Sequence, residues 1–179
     1  MEKIFSTKER MKILKSIILK EGQISVNNIA AQVKTSKGLV SKYFDLLVKE
    51  GVAKRSNGKY LVINSAVTKG IKILLNIAGV DISLFKEYDF VKAVGLYGSC
   101  AKGENDEESD IDLWIRMDDV DDERISLLAA ELNKKMRNVK LTFLTTDKIK
   151  KMKEADQLFY HSLVFGSIII YGEKDGIQL

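Results

Sequence analysis

Two aspartates spaced two residues apart, Asp110 and Asp112, are the residues whose type and spacing point most directly to chemistry. They lie in the segment Ser109-Asp110-Ile111-Asp112-Leu113-Trp114-Ile115, where polar and apolar residues alternate. Successive side chains of a β-strand point to opposite faces, so the two carboxylates are expected to share one face. Carboxylate oxygens in such a pair suit Mg²⁺ or Mn²⁺. The pair therefore predicts a divalent-cation site, with an ordinary solvated strand end as the alternative.

A glycine-containing turn precedes this pair in the chain. The apolar run from Val91 to Tyr97 is typical of a buried strand, and the segment from Gly98 to Gly103 follows it directly. Glycine lets the backbone approach a ligand closely, and the free N–H groups at a helix start can bind phosphate oxygens. With the Ser99 hydroxyl, this turn predicts a phosphate-binding segment, although a Gly-Ser pair also occurs in ordinary turns.

Taken together, a strand, Gly98-Ser99, Gly103 and then Ser109-Asp110-Ile111-Asp112 on a second strand resemble the signature of the DNA polymerase beta nucleotidyltransferase superfamily. The resemblance is greatest to the minimal nucleotidyltransferase group and covers about residues 88 to 175, where 159–162 and 168–173 look like the family's closing helix and strand. It implies a mixed β-sheet flanked by helices and transfer of a nucleoside monophosphate from a nucleoside triphosphate to an unspecified acceptor. It also implies nucleotide-binding roles for Gly98, Ser99, Gly103 and Ser109, and catalytic, metal-binding roles for Asp110 and Asp112.

The sequence departs from this family at the place of a third carboxylate. In the run Val139-Lys140-Leu141-Thr142-Phe143-Leu144, alternation places Val139, Leu141 and Phe143 toward the core and Lys140 in the carboxylate position. A protonated lysine cannot ligate a metal, and its charge disfavours a nearby cation. An acid of the following set could instead complete the site: Glu104, Asp106, Glu107 and Glu108. Otherwise the domain is non-catalytic, and either senses a nucleotide or buries Lys140 against the two aspartates.

The N-terminal part of the chain has a different pattern of elements. A capping box at Ser6-Thr7-Lys8-Glu9 predicts a first helix, Asn27 or Asn28 is expected to cap a second, and a third is expected to run from Thr35-Ser36 to Gly51. Two extended runs, 52–55 and 60–63, flank an Asn57-Gly58 pair that favours a hairpin. This order resembles the winged helix-turn-helix family over residues 6 to 64.

That resemblance implies double-stranded DNA as a partner. The third helix is expected to enter the major groove, and the hairpin is expected to contact the backbone or the minor groove. Residues 1–64 carry 13 Lys and Arg against 5 Asp and Glu, a balance that attracts polyanions. Protein contacts or dimerisation are the alternative use of the same fold. The residues expected at DNA are Ser36, Lys37, Ser41, Lys42, Lys54, Arg55, Asn57 and Lys59.

The predicted class is therefore α+β with two domains, a DNA-binding module at 1–64 and a nucleotidyltransferase-like domain at 89–179, joined by a helical connector at 65–88. No apolar run approaches the roughly 18 residues of a membrane span, and the single Cys100 cannot form an internal disulfide, so a cytoplasmic protein is expected. A homodimer is expected by analogy with other winged helices. Trp114 is expected to be half-buried or to stack on a base, and His161 to be structural.

Overall fold

A computed structural model describes residues 1–136 and 138–172 of the chain. The chain folds into two compact units, of which the first contains Met1–Leu75 with Asn105–Glu108 and the second Asn76–Glu104 with Ser109 onward. Glu173, expected at the end of the closing strand, and the rest of 173–179 lie outside the described residues. Among the described helices, none is long and apolar enough to cross a membrane.

Three helices form most of the first unit: α1 (Lys8–Ile17), α2 (Val26–Gln32) and α3 (Lys37–Lys49), after a short 3-10 turn at Glu2–Ile4. Ser36 caps α3 as its position suggests, because its hydroxyl accepts a hydrogen bond from Leu39 N at 3.2 Å. The expected cap of α1 is wrong by one residue, since Thr7 accepts from Arg10 N. For α2 neither Asn27 nor Asn28 is the cap, because the helix already begins at Val26, after Ser25.

A hairpin follows α3. Strands β1 (Ala53–Ser56) and β2 (Lys59–Val62) pair antiparallel, with Ser56 opposite Lys59. Asn57 and Gly58 both have positive φ, 49° and 72°, which a two-residue turn of this type requires. Ile24 forms an isolated bridge to Tyr60, so the segment before α2 joins the hairpin.

The core of the first unit is apolar and continuous. Tyr43 and Phe44 of α3 are buried, and Phe44 stacks on Tyr60 with ring centroids 4.3 Å apart. The core also includes Ile71 of α4 (Ala66–Gly79), the helix expected in the connector. The first part of that helix thus completes the core of the helix-and-hairpin unit.

The second unit is built on a four-stranded mixed sheet with strand order β5-β4-β3-β6. Its strands are β3 (Val91–Tyr97), β4 (Ile111–Met117), β5 (Val139–Leu144) and β6 (Ile168–Tyr171). The central strands β3 and β4 are antiparallel, β4 and β5 are parallel, and β6 runs antiparallel to β3. The mixed sheet expected from the sequence is confirmed.

Helices cover both faces of this sheet. One face, with Leu113 and Ile115, packs on α5 (Ser83–Lys86) and on α7 (Asp122–Lys135). The other packs on α8 (Thr146–Ala155) and on the closing helix α9 (Gln157–Gly166). A short helix, α6 (Gly98–Lys102), follows β3 and begins the site described next.

The position of Trp114 differs from the expectation that it is half-buried or stacks on a base. It is fully buried, in the core under α8 and α9, and its Nε1 donates to Ser167 Oγ at 2.9 Å. Gly95 of β3 makes room for it, because a Cβ at that position would overlap the indole ring. A ring held in this way packs in the core and cannot stack on a base.

Candidate functional site

The turn after β3 brings the backbone of Gly98 against the Asp112 side chain. Tyr97, the last residue of β3, is the register partner of Asp112 on β4. Gly98 has φ of 69°, a left-handed conformation that favours glycine, and a Cβ there would collide with Asp112 Oδ2. Glycine is therefore required at position 98 for two reasons: its φ is positive, and the Asp112 carboxylate leaves no space for a Cβ.

Helix α6 starts at this glycine. The first N–H groups of a helix lack partners within the helix, so the half-buried Ser99 sits where a ligand oxygen could accept from backbone and hydroxyl together. Glu104 N donates to Ser99 O at 2.9 Å, and Gly103, with φ of 66°, ends the helix. Gly103 thus shapes the loop after α6, while Ser109 lies just before β4.

The two aspartates lie at the start of β4. Asp110 immediately precedes the strand, and its backbone oxygen accepts from Cys100 Sγ at 3.3 Å, which ties the strand to α6. Burial raises the pKa of the Asp112 carboxyl and the Asp110 charge raises it further, while Lys140 acts in the opposite direction. A carboxylate penalised by burial and by a neighbouring carboxylate is one that an added cation stabilises.

Lys140 on β5 is the register partner of Asp112, and its ammonium reaches Asp110. Its Nζ lies 2.6 Å from Asp110 Oδ2, with the two side chains 67% and 37% exposed. The hydrogen bond to Asp110, followed by the charge of that carboxylate, raises the pKa of Lys140, so the ammonium stays charged. Burial of Lys140 against the aspartates, one of the sequence-based alternatives, is wrong, because the lysine is an exposed member of an ion pair.

Two further side chains border the site, and neither was assigned a role from the sequence. Tyr97 and Thr142 share a hydrogen bond of 3.0 Å across β3 and β5, on the same face as Asp112 and Lys140. The alternation on β5 placed Thr142 there, but only the fold shows its partner. The Cys100 thiol is buried, which raises its pKa to about 11 and keeps it protonated rather than nucleophilic.

The residues present fit one magnesium-type cation better than two. Across the described residues, no three or more His, Cys, Asp or Glu side chains come together as a metal site. In the acidic loop after Gly103, Glu107 pairs with Lys20 at 3.0 Å, and Asp106 accepts a hydrogen bond from Glu108 N at 3.0 Å. Magnesium is commonly held by one or two carboxylates together with substrate phosphates. Asp110 and Asp112 could provide the carboxylates, and a bound triphosphate could provide the phosphates.

Two of the residues expected at DNA, Ser41 and Arg55, lie together in the first unit. Ser41, Arg55 and Gly58 line a pocket of about 280 Å³ between α3 and the hairpin. Arg55 is not a free cation, since its Nη2 pairs with Asp45 Oδ1 at 2.5 Å and its guanidinium lies over the Tyr60 ring. Ser41 is half-buried and the others are exposed: Ser36, Lys37, Lys42, Lys54, Arg55, Asn57 and Lys59.

Comparison with known families identifies the second unit. Residues 82–175 match the family described as polymerase beta, nucleotidyltransferase, which is more than half of the chain. The chain therefore belongs to the polymerase beta nucleotidyltransferase family. No curated protein matches the chain significantly.

Solved structures resemble the chain only in part. A MntA–HpeT toxin–antitoxin mutant structure is 20% identical with a TM-score of 0.41, covering 52% of this chain and 72% of that one. A Shewanella oneidensis tri-AMPylated HEPN toxin complex with its MNT antitoxin is 20% identical with a TM-score of 0.38, over 57% and 75%. A Sulfolobus solfataricus protein assigned as a nucleotidyltransferase is 17% identical with a TM-score of 0.41, over 65% and 96%.

Proposed function

We propose that the second unit is a nucleotidyltransferase that moves a nucleoside monophosphate from a nucleoside triphosphate to an acceptor. The observation that carries the proposal is the contact between Gly98 and the Asp112 carboxylate, which places the start of α6 beside the acidic pair. Membership of the polymerase beta nucleotidyltransferase family supports it. A phosphate-binding turn and a cation-binding carboxylate pair then belong to one site.

The chain's own residues would divide the work as follows. Backbone N–H groups at the start of α6 and the Ser99 hydroxyl bind the triphosphate oxygens, and Asp110 and Asp112 hold Mg²⁺ or Mn²⁺ against it. When bound, the cation neutralises the triphosphate and polarises its P–O bonds. An acceptor oxygen forms a bond to the α-phosphorus, the bond from that phosphorus to the β-phosphate oxygen breaks, pyrophosphate leaves and the acceptor proton passes to solvent.

The test is a transfer assay with each of the four α-³²P-labelled nucleoside triphosphates, Mg²⁺ and three acceptor preparations: the chain itself, duplex DNA and a protein extract. Label should appear on an acceptor with the wild type and be absent with Asp112→Asn. The same label with both proteins would contradict a role for the acidic pair. Asp119→Asn, an exposed aspartate beyond β4, is the matched control and should behave as the wild type.

For the first unit we propose a winged helix-turn-helix that binds double-stranded DNA. The order of three helices followed by a hairpin supports the proposal, as does the exposure of seven of the eight residues expected at DNA. Lysines of α3 and of the hairpin would neutralise phosphates, whereas Ser41 would face base edges. Binding to duplex DNA should weaken steeply as salt rises; binding indifferent to salt would favour a protein-contact role.

A second candidate function is a regulator whose nucleotidyltransferase fold binds a nucleotide without turning it over. The ion pair between Lys140 and Asp110 favours it, because it engages a carboxylate oxygen that a catalytic cation would need. Nucleotide binding without transfer in the wild type, with transfer gained in Lys140→Asp, would support this candidate. Transfer by the wild type would eliminate it.

A further inference from the structure

We infer that Lys140 is a built-in cation of the site, so that the site takes one divalent cation with its nucleotide where a third carboxylate would admit two. The inference rests on the proposed nucleotide site and concerns which ligands that site accepts. The observation is the position of an ammonium group, on the strand next to the acidic pair and within hydrogen-bond distance of Asp110.

The strand register fixes where this charge lies. Asp112 and Lys140 are direct partners in the parallel β4–β5 pair, so their side chains leave the same face of the sheet on adjacent strands. A carboxylate at position 140 would therefore join Asp110 and Asp112 in one cluster of three. A cluster of three carboxylates would bind a second divalent cation. Lysine at position 140 supplies a positive charge in place of that cation.

The ion pair also engages an oxygen of Asp110 that could otherwise ligate a cation. Asp110 Oδ2 is engaged by Nζ at 2.6 Å, and a cation bound through that oxygen must displace the ammonium or share the oxygen with it. Both are opposed by repulsion between two positive charges at close range.

Lys140 can be changed without disturbing the fold, because 67% of its side chain is exposed. Lys140→Met keeps most of the length of the side chain and removes its charge, whereas Lys140→Asp replaces the charge with a ligand. Lys150→Met removes an exposed charge from α8 and is the matched control. Thermal melting should show all three variants folded.

Counting Mn²⁺ by electron paramagnetic resonance tests the inference in two arms. Without nucleotide, Lys140→Met should bind Mn²⁺ about fivefold more tightly than the wild type, a factor suited to an exposed charge, and Lys150→Met should not differ from it. With a non-hydrolysable ATP analogue, the wild type should hold one Mn²⁺ per bound nucleotide and Lys140→Asp should hold two.

Two Mn²⁺ ions in the wild-type complex, one in the Lys140→Asp complex, or equal free-protein affinities for wild type and Lys140→Met would each overturn the inference. Failure of the proposed nucleotide site gives a different result, since the ATP analogue would then not bind to any variant, whereas failure of transfer alone would leave the Mn²⁺ counts unchanged. The comparison without nucleotide would in that case still decide whether Lys140 competes with a cation at Asp110.

Discussion

Gly98 and Asp112 are in contact across the start of α6 and β4, and the contact leaves no room for a Cβ on residue 98. The left-handed backbone at Gly98 and the half-buried carboxyl of Asp112, whose pKa is raised, therefore belong to one arrangement. The site can be tested from either side, by filling the space at Gly98 or by removing the charge at Asp112.

Gly98→Ala should destabilise the second unit and weaken nucleotide binding together. The positive φ alone costs about 1 to 2 kcal/mol for an alanine, and the collision with the Asp112 carboxylate adds to that cost. Gly70→Ala in α4 is the control, because its Cβ would meet nothing and alanine in a helix is favoured by about 0.5 to 1 kcal/mol. Chemical denaturation and nucleotide titration measure both effects. If Gly98→Ala were as stable as wild type, Asp112 could not lie where the contact requires.

Asp112→Asn should raise the stability of the protein at neutral pH. The carboxyl has a raised pKa in the folded state, chiefly from burial, and its ordinary value of 3.8 in the unfolded chain. The folded state is therefore penalised increasingly as the pH rises from the unfolded-state pKa to the folded-state pKa, fully above the latter, and not at all well below the former.

The measurement is the melting temperature of Asp112→Asn and wild type between pH 3 and pH 8. The two curves should converge in acid and separate as the pH rises, with the variant higher. Asp119→Asn, a substitution of an exposed carboxylate, should follow the wild type. A variant less stable than wild type at pH 7 would show that Asp112 is stabilised by its surroundings, against the account given for it.

Trp114→Phe should lower the free energy of unfolding by about 2 kcal/mol, because it leaves a partly empty space and removes the indole donor of Ser167. Ser167→Ala removes the hydrogen bond alone and should cost about 1 kcal/mol. Trp114 is the only tryptophan, so its emission reports this core without labelling and should shift to longer wavelength on unfolding. Emission typical of an exposed indole in the folded protein would contradict the burial.

Asp45→Asn should strengthen binding to duplex DNA. It releases Arg55 from an exposed ion pair and removes a negative charge from α3, so a further phosphate contact should steepen the dependence of log K on log salt by up to about one unit. Glu9→Gln, an exposed acid on α1, is the control. Salt-dependent titrations by fluorescence anisotropy measure both the affinity and the slope. Weaker binding by Asp45→Asn would mean that the pair with Arg55 positions the hairpin for DNA.

The sequence predicted those helices, strands and turns whose local pattern of apolar residues and glycines matches the burial seen in the fold. The bounds of β3 and β5, the helix start at Gly98 and the Asn57-Gly58 turn follow from alternation and from glycine. Helices α7 and α8 were not predicted: both have many charged residues and few buried ones, so packing on the sheet stabilises them more than their pattern suggests.

The candidate site was predictable in its residues and not in its contacts. Alternation placed Lys140 with the aspartates, but only the structure shows that its ammonium pairs with Asp110, although Asp112 is the register partner of Lys140. The complete burial of Trp114 was not predicted. It depends on Gly95, the register partner of Trp114 across the β3–β4 pair, and sequence spacing does not reveal that partner. Long-range partners of this kind follow from tertiary structure alone.

The most direct test of the central claim is isothermal titration of a nucleoside triphosphate with Mg²⁺ into wild type and Asp112→Asn. The variant is expected to be folded and more stable, so a change in affinity reports the site and not unfolding. We expect one bound nucleotide for the wild type and a loss of more than about tenfold in affinity for Asp112→Asn. Equal affinity in the two proteins would contradict it.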